Sequence, residues 1–397
     1  MKSNSADTSA GNRSDDLIFR PSSDSSLGVE LELQILDPGS GELASGAGRI
    51  LKACSEDAIV GPTSELMQSM LEIKTGICPN VRAVRDQLFP VLKKVRNISR
   101  SLGYELGLGG THPFHRSHTN VVFADERYQK IEERLVWLTS QRVVFGLHVH
   151  VGLTNGDEAI GVTNMLVQYL PHLLALSASS PFWQGVDTGL ASTRAALYRL
   201  LPHAGIPRYF TKWKEFRTYC RVMIDCRAME SPKDIYWDIR PRPEFGTIEF
   251  RICDMPATLG VTMGLVALTR SLVISAQRLL AARPQLRRGD MRRRWIAVEN
   301  KWLATRYGLD AMYIRTPGGK RRPLSRDVAE LMNRLLPIAR ESGDDEFLNV
   351  FMPLEKFENG AVRQRRRYRE TGNWRSLIED MTKSLEQELD SVTMSSS

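Results

Sequence analysis

Cysteine is scarce in this chain. Five occur among 397 residues, at 54, 78, 220, 226 and 253, and no two form a C-x-x-C pair. An odd number at irregular spacing excludes a disulfide framework or a zinc ribbon and fits a reducing, cytoplasmic setting. Residues 1–26 contain no apolar run of the kind a secretory signal needs. The longest apolar stretch, Val261 to Ala282, is interrupted by Arg270, Gln277 and Arg278. It reads as a buried amphipathic helix and not as a membrane span. Phosphate-cradling loops are missing. "PGGKRRP" (317–323) lacks the first glycine and the closing Ser/Thr of G-x-x-x-x-G-K-[ST], and Gly107, Gly109 and Gly110 do not make G-x-G-x-x-G. Neither a P-loop nor a Rossmann site is supported. Histidine is limited to seven residues.

The remaining composition is that of a folded protein, with 42% hydrophobic and 25% charged residues. Residues 1–26, rich in Ser, Asp and Asn, read as a disordered polar tail, and 27–390 as a single domain. Net charge is +8, with much of the excess in "RRGDMRRRW" (287–295), "GGKRRP" (318–323) and "RQRRRYR" (363–369). Such runs suit either a polyanion partner or a solvated basic face. No recognised nucleic-acid module accompanies them.

Residues 27–36 alternate between apolar and polar, then turn at Asp37-Pro38-Gly39, with "GELAS" as the expected return strand. Apolar residues from Val81 to Leu102 recur at helical spacing, with Pro90 as an expected kink. Further helices are predicted over 159–178, 261–282, 290–306, 326–341 and 374–391. Residues 235–254 return to strand texture around a Pro-rich turn. Strands placed among helices, without regular alternation, predict an α+β fold with an antiparallel sheet.

Three strands pair an apolar face with an ionisable one, because residues i and i+2 of a strand share a face. Glu30 and Glu32 oppose Val29, Leu31 and Leu33; His148 and His150 oppose Val149 and Val151; Glu249 and Arg251 oppose Ile248, Phe250 and Ile252. Each alone is compatible with a sheet wetted on one side. Together they present carboxylate, imidazole and guanidinium groups, where a plain wet face would mix Thr, Ser, Lys and Gln. "SELMQSMLEIKT" adds Glu72 on an expected strand and Glu65 from the loop before it. Five carboxylates (Glu30, Glu32, Glu65, Glu72, Glu249) gathered with His150 would repel one another unless cations lay among them. Hard oxygen donors with a single imidazole suit Mg²⁺, or Mn²⁺, better than Zn²⁺. Several such ions in one cleft point to phosphoryl chemistry on a nucleotide, with Arg240 and Arg251 as fixed positive charge.

Several stretches then resemble one family. "GVELEL", "SELMQSMLEIKT", "GLHVHVG", "SPFWQGVDTGLASTRAALYRLLPHAGIPRYF" (180–210), "YWDIRPRPEFGTIEFRICD", "ENKWLATRYGLDA" and "NGAVRQRRR" are similar in order and spacing to the type 2 glutamate–cysteine ligases. These are carboxylate–amine ligases of the glutamine-synthetase-like superfamily, and the resemblance covers about residues 27–385. It implies a curved, mainly antiparallel sheet forming an open half-barrel, helices on the convex side and the active site on the concave face. It implies ATP and Mg²⁺, amino-acid substrates, and an amide formed through an acyl phosphate with release of ADP and phosphate. Glu30, His150 and Glu249 would hold one ion and Glu32, Glu65 and Glu72 another. Arg251 and Arg240 would face the phosphates. His148 shares the face but is less securely matched. Asp187, Ser192 and Arg194 are the substrate-binding candidates, with Arg194 paired to a substrate carboxylate. A homodimer is the expected assembly, with neither membrane nor nucleic acid as partner.

Two other readings compete. A zinc hydrolase would use His148 and His150 with His112, His115 and His118, and stoichiometric zinc in the purified protein would favour it. A nucleic-acid-binding protein would use the basic late segments, and an ATP-independent, salt-dependent gel shift would favour that.

Overall fold

The computed structural model describes residues 17–394. Its centre is an open, antiparallel sheet of seven strands: β1 Leu27–Leu36, β2 Pro62–Ser64, β3 Met70–Lys74, β4 Glu105–Gly107, β5 Gly146–Gly152, β6 Ile239–Arg242 and β7 Thr247–Asp254. The order across the sheet is β6-β7-β5-β1-β3-β2, with β4 on the far end of β1. The alternation read from the sequence becomes two faces. Val29, Leu31, Leu33, Leu71, Ile73, Val149, Val151, Ile248 and Phe250 enter one continuous core with residues of the helices Val81–Ser101, Leu170–Ser177 and Leu259–Ala282. The architecture is α+β with helices against the apolar face of the sheet.

Local chemistry explains the helix starts. Asn80 accepts from the Ala83 N–H and Thr258 from the Val261 N–H, each satisfying a first-turn donor. Leu259–Ala282 is long and apolar enough to cross a membrane, but it is mostly buried within the protein. Pro90 is accommodated inside one continuous helix.

Three sequence expectations are corrected. "GELAS" forms no return strand: only Leu36 and Leu43 bridge, and a helix begins at Ala47. The helix expected over 159–178 is two, Gly156–Leu166 and Leu170–Ser177, joined by a 3₁₀ turn. The third concerns the tail. Residues 17–26 are packed, not disordered, while 1–16 lie outside the described residues. Phe19 is buried edge-on against Trp213, Arg20 N–H donates to Pro243 O, and Gly152 N–H donates to Ser26 O. One aromatic ring and backbone pairing to the sheet end compensate for the poverty of apolar residues in this segment.

Some arginines of the basic runs are paired with carboxylates. Arg363 pairs with Asp380, Arg365 with Asp187, Arg366 with Glu358, and Arg322 with Asp327 and Glu330.

Candidate active site

Strand register brings the ionisable residues together. Across the sheet, Arg240 faces Glu249, which faces His150; one row along, His148 faces Glu30, which faces Lys74; the next row sets Glu32 against Glu72, and Glu72 against Thr63. All lie on the face opposite the helical core. The face is not wet. Glu249 is fully buried, and Glu32, Glu72, His148, His150 and Arg240 are each under a tenth exposed.

Glu249 carries three guanidiniums. Arg240 Nε donates to Oε2 at 2.8 Å, Arg242 Nη1 to Oε2 at 2.9 Å, and Arg251 Nη1 to Oε1. Burial works to raise the Glu249 pKa, but Arg240, Arg251, His150 and Arg242 outweigh it and hold the carboxyl well below the usual range. One negative charge against three positive ones leaves a local surplus suited to an anion.

On the other side of His150 the balance reverses. Burial raises Glu32 to about 7, with the Glu65 charge adding to it. Burial also raises Glu72, reinforced by Glu30 and Glu65 and opposed by Lys74. Glu30 moves the other way: its contacts with the His148 and His150 imidazoles, the second at 3.5 Å from Nε2, overcome its burial and lower it. Burial, with Arg251 adding to it, pushes His148 down to about 3 against the pull of Glu30. Its Nδ1 lies 3.1 Å from Glu30 Oε2, and His150 Nδ1 lies 3.0 Å from Thr247 Oγ1. The Nε2 atoms of both rings are buried without a hydrogen-bond partner. Two orphaned imidazole nitrogens among carboxylates are a cation's chemistry. Among the described residues, two groups offer donor atoms within 4.8 Å of one another: Glu30, His150 and Glu249, and Glu30, Glu72 and His148. These residues fit a hard divalent cation.

The first set coincides with one ligand trio expected from the resemblance. The second differs from the other. Glu72 groups with Glu30 and His148, whereas Glu32 Oε2 accepts the Gly146 N–H and Glu65, in the loop before β3, meets Glu32 and Glu72 only through its charge. Lys74 was missed. Its ammonium is 2.7 Å from Glu72 and 4.0 Å from Glu30, and its signal was the i+2 spacing from Glu72. Arg242 was missed too, two residues from Arg240 on the same face of β6. His112, His115 and His118 join neither group; His112 Nε2 lies 2.8 Å from the Gly41 carbonyl and His115 pairs with Glu42.

Asp187, Ser192 and Arg194 are not gathered into this cluster as substrate-facing groups. Asp187 is exposed and pairs with Arg365. Ser192 caps a short helix, accepting from Ala195 N–H, and donates to the buried Asp254 at 2.7 Å. Arg194 is buried, and its fork donates to the carbonyls of Ile252 and Arg251 at 3.4 and 3.2 Å. The cause lies in β7, whose register with β5 shifts between Phe250 and Cys253. A bulge leaves carbonyls without ladder partners, and Arg194 supplies them. Gly146 leaves room for this: a Cβ there would lie 2.2 Å from Arg194 Nη2.

A cavity of about 400 Å³ opens beside the first trio, lined by Ser22, Gly28, Glu30, Ile77, His150 and Phe245 among others.

Residues 26–384 match the profile of glutamate–cysteine ligase family 2, nearly the whole of the described chain. The chain belongs to that family. Relatives agree over about nine-tenths of the chain. "Putative glutamate--cysteine ligase 2" of Thermobifida fusca is 38% identical over 92% of this chain and 92% of its own, and the like-named protein of Gloeobacter violaceus is 37% identical over 91% and 97%. The fold is shared with a glutamate–cysteine ligase from Francisella tularensis solved with AMP, at TM-score 0.64 and 11% identity over 92% of this chain and 89% of that one. Membership in family 2 supports an ATP-dependent ligase that forms a C–N bond.

Proposed function

We propose that this family 2 member transfers the γ-phosphoryl of ATP to a carboxylate of an amino acid, the γ-carboxylate of glutamate by family analogy, and joins the acyl group to an amine. In the first step a carboxylate oxygen attacks phosphorus and the bond to ADP breaks. In the second the amine nitrogen attacks the acyl carbon, phosphate leaves and a proton is lost from nitrogen. No protein nucleophile is needed, which agrees with the lack of a serine or cysteine motif.

The observation that carries this reading is the division of charge along one buried sheet face. Three guanidiniums converge on Glu249, and next to them Glu30, Glu32 and Glu72 surround two imidazoles with bare nitrogens. Glu30, His150 and Glu249, and Glu30, Glu72 and His148, would hold Mg²⁺ or Mn²⁺, which when bound would neutralise phosphate charge. Arg251 and Arg240 are positioned to share their hydrogen bonds between Glu249 and a transferring phosphoryl group. The cavity between Gly28, Ile77 and Phe245 is the place for the nucleotide base, since it adjoins Glu30 and His150 and carries an aromatic wall. Burial of the face limits hydrolysis of the acyl phosphate.

Hydroxylamine tests the reading. Incubated with glutamate, ATP and Mg²⁺, the protein should give a hydroxamate and ADP without a natural amine. AMP and pyrophosphate as products would show adenylation and overturn it.

A further inference from the structure

Lys74 belongs to two places at once. Its ammonium lies 2.7 Å from Glu72 Oε2 and 4.0 Å from Glu30 Oε1, the two carboxylates that group with His148 as the second candidate ion site. Its side chain is 40% exposed and also lines the cavity that adjoins Glu30 and His150. Strand geometry causes this double reach. Glu72 and Lys74 are two apart on β3 and share a face, and register sets Lys74 opposite Glu30 on β1. Lys74 is also the last residue of β3, where the chain turns into the cavity wall at Thr75, Gly76 and Ile77.

The ammonium competes for the ion site. A divalent ion held by Glu30, Glu72 and His148 needs carboxylate oxygens that Lys74 already faces, and the two cations repel at that separation. A lysine suits exchange, because it is a point charge on a flexible four-carbon stem, without a planar fork to fix it. Released from Glu72, the ammonium can reach the cavity it already lines. Among the described residues in that wall, Lys74 is the one lysine or arginine, beside the carboxylates of Glu30 and Glu244. The arginines around Glu249 lie beyond His150, on the other side of Glu30. A phosphate chain running from the cavity to those arginines would pass an acidic wall and needs a cation on it.

We propose that Lys74 is a nucleotide-binding residue that exchanges Glu72 for the phosphates of ATP nearest the base. Filling of the second ion site and binding of nucleotide are thereby linked through one ammonium. This rests on the ligase reading and deepens it: Lys74 opposes the divalent ion in the nucleotide-free protein and holds the nucleotide once the ion is bound.

Calorimetric binding tests the exchange without turnover, because Lys74→Met should shift two affinities in opposite directions. The full-length, nucleotide-free variant should bind Mn²⁺ about threefold more tightly than the wild type, the scale of one partly exposed ion pair. At saturating Mn²⁺ it should bind ADP about tenfold more weakly, the scale of a hydrogen bond between charged groups. Lys74→Gln, which keeps a donor for Glu72 and guards against misfolding of the first variant, should show the same two signs. A lysine with only a structural role would weaken both affinities or neither. The assignment is overturned if Mn²⁺ affinity is unchanged or falls in both variants, or if ADP affinity is unaltered. The ligase reading fails separately, on the hydroxamate products of the wild type.

Discussion

Arg240 and Glu249 stand opposite each other on neighbouring antiparallel strands, and their side chains meet in a two-point bridge, Nε to Oε2 at 2.8 Å and Nη2 to Oε1 at 3.3 Å. Both are buried. A buried pair of this kind is weak evidence of stabilisation, because desolvation offsets most of the attraction. Here two more arginines share the carboxylate, so the cluster retains positive charge that only another anion would neutralise.

That surplus makes Arg251 the informative residue. Arg251→Ala should lower kcat by about 10²–10³-fold, the usual cost of one contact that strengthens as charge moves in the transition state. Lysine should rescue it partly, since a point charge cannot bridge two oxygens. Steady-state ADP release beside calorimetric nucleotide binding checks this. An unchanged kcat with a raised KM for ATP would assign Arg251 to ground-state binding.

Two glutamates should behave oppositely. Glu30 is held by both imidazoles, so Glu30→Gln should lower the melting temperature in the presence of a chelator. Glu72 is burdened first by burial, then by Glu30 and Glu65, with Lys74 and the Thr63 hydroxyl opposing, so Glu72→Gln should raise it. Both variants should lose turnover. Equal shifts of the same sign in thermal melts would contradict this charge distribution, and near wild-type ADP release would remove the metal-ligand assignment.

Arg194→Met distinguishes a structural arginine from a substrate-binding one. Removing the guanidinium strands two buried carbonyls, each worth about 1–3 kcal/mol. Stability and kcat should fall together as the Arg251 bulge relaxes, while KM for the amino acid changes little. A rise in that KM with unaltered stability would restore the substrate-pairing role.

The N-terminal segment should matter, although its sequence reads as a disordered polar tail. Truncation there removes Phe19, whose burial is worth about 1.5–3 kcal/mol, and Ser22 from the cavity wall. A subtler variant is Gly246→Ala. Its φ is +64° and a Cβ would lie 1.8 Å from the Arg20 carbonyl oxygen. Both changes should lower the melting temperature and weaken ATP binding. Wild-type nucleotide affinity in the truncated protein would show that the segment plays no part in the cavity.

The sequence by itself determined which residues could share a face. Period-two alternation sorted Glu30 and Glu32, His148 and His150, and Glu249 and Arg251 from the core before any strand was paired, because strand geometry is local. It also carried the family resemblance, since motif order survives without coordinates. Only the tertiary structure decided who meets whom. Lateral register set Glu72 beside Glu32 and His148 beside Glu30, a long-range choice that no short window contains. The same limit hid the packed segment 17–26, whose few apolar atoms suffice because the sheet end supplies its backbone partners. It hid Arg194 as well: an arginine in the first turn of a short helix looks available for substrate until a bulge in a strand 57 residues away leaves two carbonyls that need its fork.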